Sequence, residues 1–228
     1  MRHALICALL VLLPVRIAFG QEWVEFTSVE DGFRIAFPVQ PQVQNTTYTT
    51  QYGYALPAKV YSVTSGPQRF AVTVADFRTI QQQAIARTCP KGPDTCQRRA
   101  LTAVIGEGEW RNDVRGAMLY ALNAFIKRDS KITNITGDWQ DLVDGMMVQL
   151  ANADQSRTFA SISMHDNRLY VVEGTAPVSG YPPPIAFQQN FAVVDGQGNA
   201  IRYQRMYSNA YHGLGEYPVP PRAGQPQN

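Results

Sequence analysis

The apolar residues of this chain change period twice, and that pattern confines it to a narrow set of folds. From residue 23 they alternate with polar ones: Trp23-Val24-Glu25-Phe26 does so, and Phe33, Ile35 and Phe37 share one face of FRIAF. Between residues 114 and 125 the step lengthens. Val114, Ala117, Met118, Ala121, Leu122 and Phe125 recur every three or four positions and form one apolar stripe. From Ile132 to Glu173 alternation returns. Neither a half-apolar strand nor a striped helix is stable alone, so each must cover the other. The expected class is α+β, an antiparallel β-sheet flanked by helices.

Turn residues divide the first block. Asp31 and Gly32 read as a two-residue turn, and Pro38 and Pro41 close the second strand. Strands are expected over 46–54, 58–64 and 69–77, the last two separated by Ser65-Gly66-Pro67, and together the block reads as an antiparallel meander. Helices are expected over 79–87 and 95–105, flanking a cysteine-bearing loop. Asn112 or Asp113 is placed to cap the third helix, with Lys127 and Arg128 suited to its carboxyl end. Strands follow over 132–136, over 146–150 after a turn at Asp144 and Gly145, and in a hairpin, 157–164 with 168–173, about His165, Asp166 and Asn167. Three prolines at 182–184 stop extended pairing, a short helix over 185–191 closes the domain, and a turn over 195–199 leads into Ala200-Ile201-Arg202-Tyr203.

Residues 1–20 read as a signal peptide. Arg2 and His3 precede an apolar run broken by Arg16, too short for a membrane span, and cleavage is expected between Gly20 and Gln21. No later stretch is apolar enough to span a membrane. The organisation expected is a signal peptide at 1–20, one α+β domain at 21–211, and a Pro/Gly-rich disordered tail at 212–228. Loss of Arg2 and Arg16 reduces 20 basic residues to 18 against 18 acidic ones, so the overall charge gives no support to nucleic acid or an anionic membrane as partner. The same cleavage removes Cys7 and leaves Cys89 and Cys96. In an exported chain that even pair, closing CPKGPDTC, is expected to form a disulfide, worth about 2–3 kcal/mol in the chain-entropy model.

No cofactor or metal motif is read. Two cysteines are too few for a structural zinc site, and His165 and His212 are the histidines left after cleavage. His165 beside Asp166 has the residue types of a catalytic pair, but in a hairpin turn these are ordinary turn residues. Glu107 with Glu109, and Asp138, Asp141 and Asp144 with Trp139, are the candidate carboxylate clusters for glycoside hydrolysis. The aspartate spacing lacks the glycine and terminal glutamate of a calcium loop, and the segment reads as a solvated connection. Asn45-Thr46-Thr47 and Asn134-Ile135-Thr136 match the glycosylation sequon, relevant only in a eukaryotic host. Tyr48, Tyr52, Tyr54 and Tyr61 fall on expected strands, either as a recognition surface or as core packing.

The phrase Phe26-Thr27-Ser28, then Asp31-Gly32-Phe33-Arg34-Ile35-Ala36-Phe37-Pro38, resembles the start of PsbP-like domains. The strand Arg168-Leu169-Tyr170-Val171-Val172-Glu173 and the short helix ending near Phe191 are similar to their last third. The resemblance covers most of residues 23–194; the cysteine loop and the segment after Gly198 depart from it. It implies an α/β/α sandwich and an accessory that binds or assembles with a larger complex. No functional residue is carried over from it. Three classes of function remain open: an exported, non-enzymatic domain with an envelope protein partner, an envelope hydrolase using Asp138 and Asp141, and a carrier of small apolar ligands between the third helix and the sheet.

Overall fold

Two antiparallel sheets and a helical layer make up the fold. The computed structural model describes residues 23–212. The expected signal segment with its Gly20/Gln21 junction, and residues 213–228 of the expected tail, lie outside that range. The strands are β1 (Val24–Ser28), β2 (Phe33–Phe37), β3 (Gln42–Thr49), β4 (Ala55–Ser65), β5 (Gln68–Asp76), β6 (Ser130–Gln140), β7 (Val143–Asn152), β8 (Arg157–His165), β9 (Arg168–Ala176) and β10 (Ala192–Val193). The helices are α1 (Ile80–Thr88), α2 (Arg98–Glu107), α3 (Glu109–Ile126), α4 (Ile185–Gln189) and α5 (Asn209–His212). A 7-stranded sheet runs in the order β3-β4-β5-β9-β8-β7-β6, and a 3-stranded one in the order β1-β2-β10. The large sheet is two meanders, β3 to β5 and β6 to β9, joined at their centre by antiparallel pairing of β5 with β9. The helices α1 to α3 make the crossover between them.

The α+β class expected from the sequence is what the chain adopts. Each face of the large sheet carries its own core. On one side Leu56, Val148, Leu150, Ala160, Ile162 and Leu169 pack beneath Val114, Ala117, Ala121, Leu122 and Phe125 of α3. On the other, Tyr61, Phe70, Val72, Tyr170 and Val172 meet Phe33, Ile35 and Phe37 of β2 and Phe187 of α4. The third layer is therefore the small sheet with α4 added to it. The alternation of FRIAF explains this: Phe33, Ile35 and Phe37 are fully buried, and each fully buried Phe contributes about 1.5–3 kcal/mol. The close seating of α4 rests on Gly174 in β9, where an added Cβ would stand 2.8 Å from Pro184 Cβ.

Several local expectations change. β1 and β2 do not join the meander of β3 to β5; pairing of Ser28 with Phe33 leaves a four-residue loop, 29–32, where a two-residue turn was expected. Neither Asn112 nor Asp113 caps α3, which starts at Glu109 after Gly108. A Cβ at Gly108 would lie 2.4 Å from the Val104 carbonyl oxygen, so α2 and α3 meet more tightly than any other residue allows. Asp113 is left inside the helix and buried. The second helix starts at Arg98 rather than 95, because Pro93, Asp94 and Thr95 form a 3-10 turn. The expected loop over 138–144 is instead the tip of a long hairpin of β6 and β7, turning at Asp141 and Leu142. Finally, α5 carries helical structure to His212, where the tail was expected to begin.

Candidate functional site

The outer end of the large sheet, at β6, brings together one cluster of the sequence-derived candidates, Asp138, Trp139 and Asp141. β6 is an edge strand of 11 residues, and its only charged residues are Lys131 and Asp138. Strand residues alternate between faces, but a bulge between Ile132 and Asn134 resets that alternation. Ile132 consequently pairs with Leu150, and Ile135 with Val148, both in the core on the helix side. Trp139 follows Ile135 at a spacing of four and lies on the same face. These three apolar residues are 37%, 41% and 62% exposed. Among the described residues no strand pairs with the outer backbone edge of β6.

On the opposite face of β6, Asp138, Gln140 and Asp141 line a cleft of about 500 Å³ shared with Arg34, Gln189 and Arg202. The two carboxylates of the hydrolase alternative, Asp138 and Asp141, share this cleft, and each has a partner in the fold. Asp138 accepts hydrogen bonds from Ser161 Oγ at 2.7 Å and from the Trp139 backbone at 2.9 Å. Asp141 pairs with Arg202 at 3.4 Å. Trp139 borders the same cleft, although strand alternation sets its side chain on the face opposite Asp138. Asp144 lies on β7 and gives its backbone N–H to the Tyr207 carbonyl. In the other cluster, Glu109 opens α3 and pairs loosely with Arg87 at 3.5 Å, while Glu107 closes α2. Among the described residues no three His, Cys, Asp or Glu side chains group to hold a metal ion.

His165 is buried and fastens the C-terminal segment. Its Nε2 lies 2.7 Å from Tyr203 Oη, and its ring centroid is 4.7 Å from that of Tyr207. Burial pushes the imidazole below its ordinary pKa; Asp166 opposes that shift and Arg168 reinforces it. Segment 200–209 crosses the β6–β7 turn, where Tyr203 N–H bonds the Asp141 carbonyl and Tyr207 N–H the Leu142 carbonyl. Asp141 and Leu142 have φ of 48° and 65°, a type I′ turn without glycine. A left-handed leucine costs about 1–2 kcal/mol, and the crossing segment offsets it. His165 is thus a structural fastener.

Two networks escaped the sequence reading. Asp113 accepts from Thr50 Oγ1 at 2.5 Å and from Tyr52 N–H at 3.1 Å, pinning the turn after β3 to α3. Its carboxyl is pushed up by burial, against those hydrogen bonds. Asp31 accepts from Ser28 and Tyr61 hydroxyls and from Lys59, which also reaches Glu30 at 2.8 Å. Both carboxylates are joined to partners 28 to 63 residues away, a separation no local pattern encodes. The tyrosines divide: Tyr54 and Tyr61 are buried, Tyr48 is half-buried, and Tyr52 is exposed at a turn. Cys89 and Cys96 stand at disulfide distance, with Cα atoms 5.2 Å apart.

No family model matches this chain, and no curated protein matches it. Among solved structures it is similar to the solution structure of cyanobacterial PsbP from Synechocystis sp. PCC 6803, at 10% sequence identity and a TM-score of 0.42, covering 76% of this chain and 93% of that one.

Proposed function

We propose that this chain is an exported, non-enzymatic binding domain that docks an envelope protein partner along β6. The observation that carries the reading is the β6 edge itself: a long strand, nearly uncharged, with Ile132, Ile135 and Trp139 exposed in one row. Such an edge offers unpaired N–H and C=O groups to an extended segment of another chain, and an apolar row to seat its side chains. Exposed edges invite aggregation unless blunted, so retaining apolar residues there is costly without a partner. Export is supported by the apolar run before Arg16 and by two cysteines at disulfide distance, which we propose are oxidised in the native protein.

The test is retention of a partner by the tagged mature protein from envelope extract, compared with an Ile135→Lys variant. A partner held by the wild type and lost by the variant supports docking at β6. Equal retention by both places docking elsewhere, and no retention by the wild type refutes the binding reading.

A further inference from the structure

We propose that residues 217–221 of this same chain, Tyr-Pro-Val-Pro-Pro, lie across the apolar row of β6 and cover it until a partner displaces them. The displacement rests on docking at β6; the cover itself needs no partner.

The row has a second wall. α3 turns Asp113 and Tyr120 towards the β3 end of the sheet, where they meet Thr50 and Tyr48. At about 100° per residue, Leu119 and Ile126 fall on its other flank, towards β6, and they are 61% and 45% exposed. With Ile132, Ile135 and Trp139 they leave an exposed apolar patch on the helical side of the sheet. A patch of this kind marks a docking site, and proteins commonly cover such an edge with a loop of their own.

Three observations name the occupant. First, the chain leaves α5 at the right place. α5 packs against α3, and Asn209 at its start is buried and bonded to Asn167 in the β8–β9 turn at 3.0 Å. Tyr207, just before it, donates its N–H to the Leu142 carbonyl, in the turn that follows Trp139 and Gln140. β6 lies two strands beyond β8, about 10 Å at the usual strand spacing. Residues 213–216 span about 13 Å when extended, so Tyr217 reaches Trp139 at the near end of β6. Second, the lengths match. Ile135 to Trp139 is about 13 Å along a strand, and five residues of polyproline II cover about 15 Å. Third, the chemistry fits. Pro218, Pro220 and Pro221 favour polyproline II, which docks on aromatic-bearing apolar surfaces at low ordering cost. They have no N–H, so the segment lies on the face through its side chains and does not add a strand to the edge. Glu216 and Arg222 bracket an uncharged stretch, which suits a strand whose only charges are Lys131 and Asp138.

The test compares the ¹⁵N-labelled mature protein with the same protein ending at His212, and adds a peptide of residues 213–228 to the shorter form. Removal of the segment is expected to shift the amides of Leu119, Ile132 and Ile135 and the indole N–H of Trp139. The peptide is expected to reverse those shifts saturably, and Ile135→Lys to weaken it about tenfold or more. A peptide carrying Tyr217→Ser and Val219→Ser is expected to have no effect. No difference between the two lengths at these positions, or peptide shifts that survive Ile135→Lys, overturns the proposal. Shifts that follow protein concentration equally in both lengths assign the row to a second copy and overturn it too. Partner retention from envelope extract is expected to rise at least about twofold in the shorter form, the factor for a row covered half the time. Equal retention by both lengths overturns the competition. No retention by either refutes docking at β6 alone, since the shifts need no partner.

Discussion

The two edges of the seven-stranded sheet are built differently. β3 is short, Val43 is its exposed apolar residue, and Tyr48 turns inward against Phe77 and Tyr120. Its far end is pinned to α3 by the buried carboxylate of Asp113. β6 is longer, and its bulge gathers three exposed apolar residues on one face. Its fastening is at the hairpin tip, through the C-terminal segment and His165. The β3 edge is thus tied to the helical layer at its end, through Tyr48 and the turn that follows, while the rest of the strand is exposed. Among the described residues no strand pairs with the outer edge of either; β6 differs in its row of exposed apolar side chains, on which the docking proposal rests.

The largest expected effect tests the pinned edge. Asp113→Ala strands the Thr50 hydroxyl and the Tyr52 N–H, and urea unfolding is expected to show a loss of about 2–3 kcal/mol. Asp113→Asn keeps an acceptor and removes a charge that burial disfavours, so its cost is expected to stay under about 1 kcal/mol. Equal losses in both would show that the carboxylate's charge, not its acceptor role, holds β3. Cys89→Ser is expected to cost about 2–3 kcal/mol or slightly less, with no change in partner retention at β6. Reduction of the native protein should add the mass of two hydrogens, and free thiols before reduction would refute the disulfide.

A smaller effect probes the fastening of β6. The folded pKa of His165 is depressed below its unfolded value of about 6.5. The neutral imidazole is therefore favoured in the fold. Its contribution is present above about pH 6.5 and is lost as pH falls from there through the lower folded value. Stability is expected to decline over that window in the wild type and to flatten in His165→Phe. Amide exchange in the β6–β7 turn should rise in parallel. The smallest effect belongs to the edges themselves: Val43→Lys and Ile135→Lys should each change stability by under about 0.5 kcal/mol. Only the second is expected to change binding.

The two edges were also unequally legible in the sequence. Core-facing periodicity is a local signal, so the α3 stripe and the alternation of FRIAF identified their elements directly. β6 is wet on both faces over most of its length and carries Ser, Lys, Thr, Asn and Gly, so its alternation was visible only at 132–136. The turn that ends it has no glycine, because its left-handed backbone is held by residues some sixty positions later. Asp113 has the residue type of a helix cap and sits near the helix start. Only contact with Thr50, 63 residues away, gives it another role. The carboxylates at 138 and 141 were correctly placed near one another, but strand pairing and Ser161 decide what they do.

Site-specific photo-crosslinking in living cells tests docking at β6 most directly. A photoreactive residue replaces Asn134 on the exposed edge of β6 in one strain and Gln44 on β3 in another. The β6 position is expected to give a discrete adduct with one envelope protein, and the β3 position none. Adducts of equal yield from both edges, or adducts from β3 alone, would contradict the assignment of β6 as the docking edge.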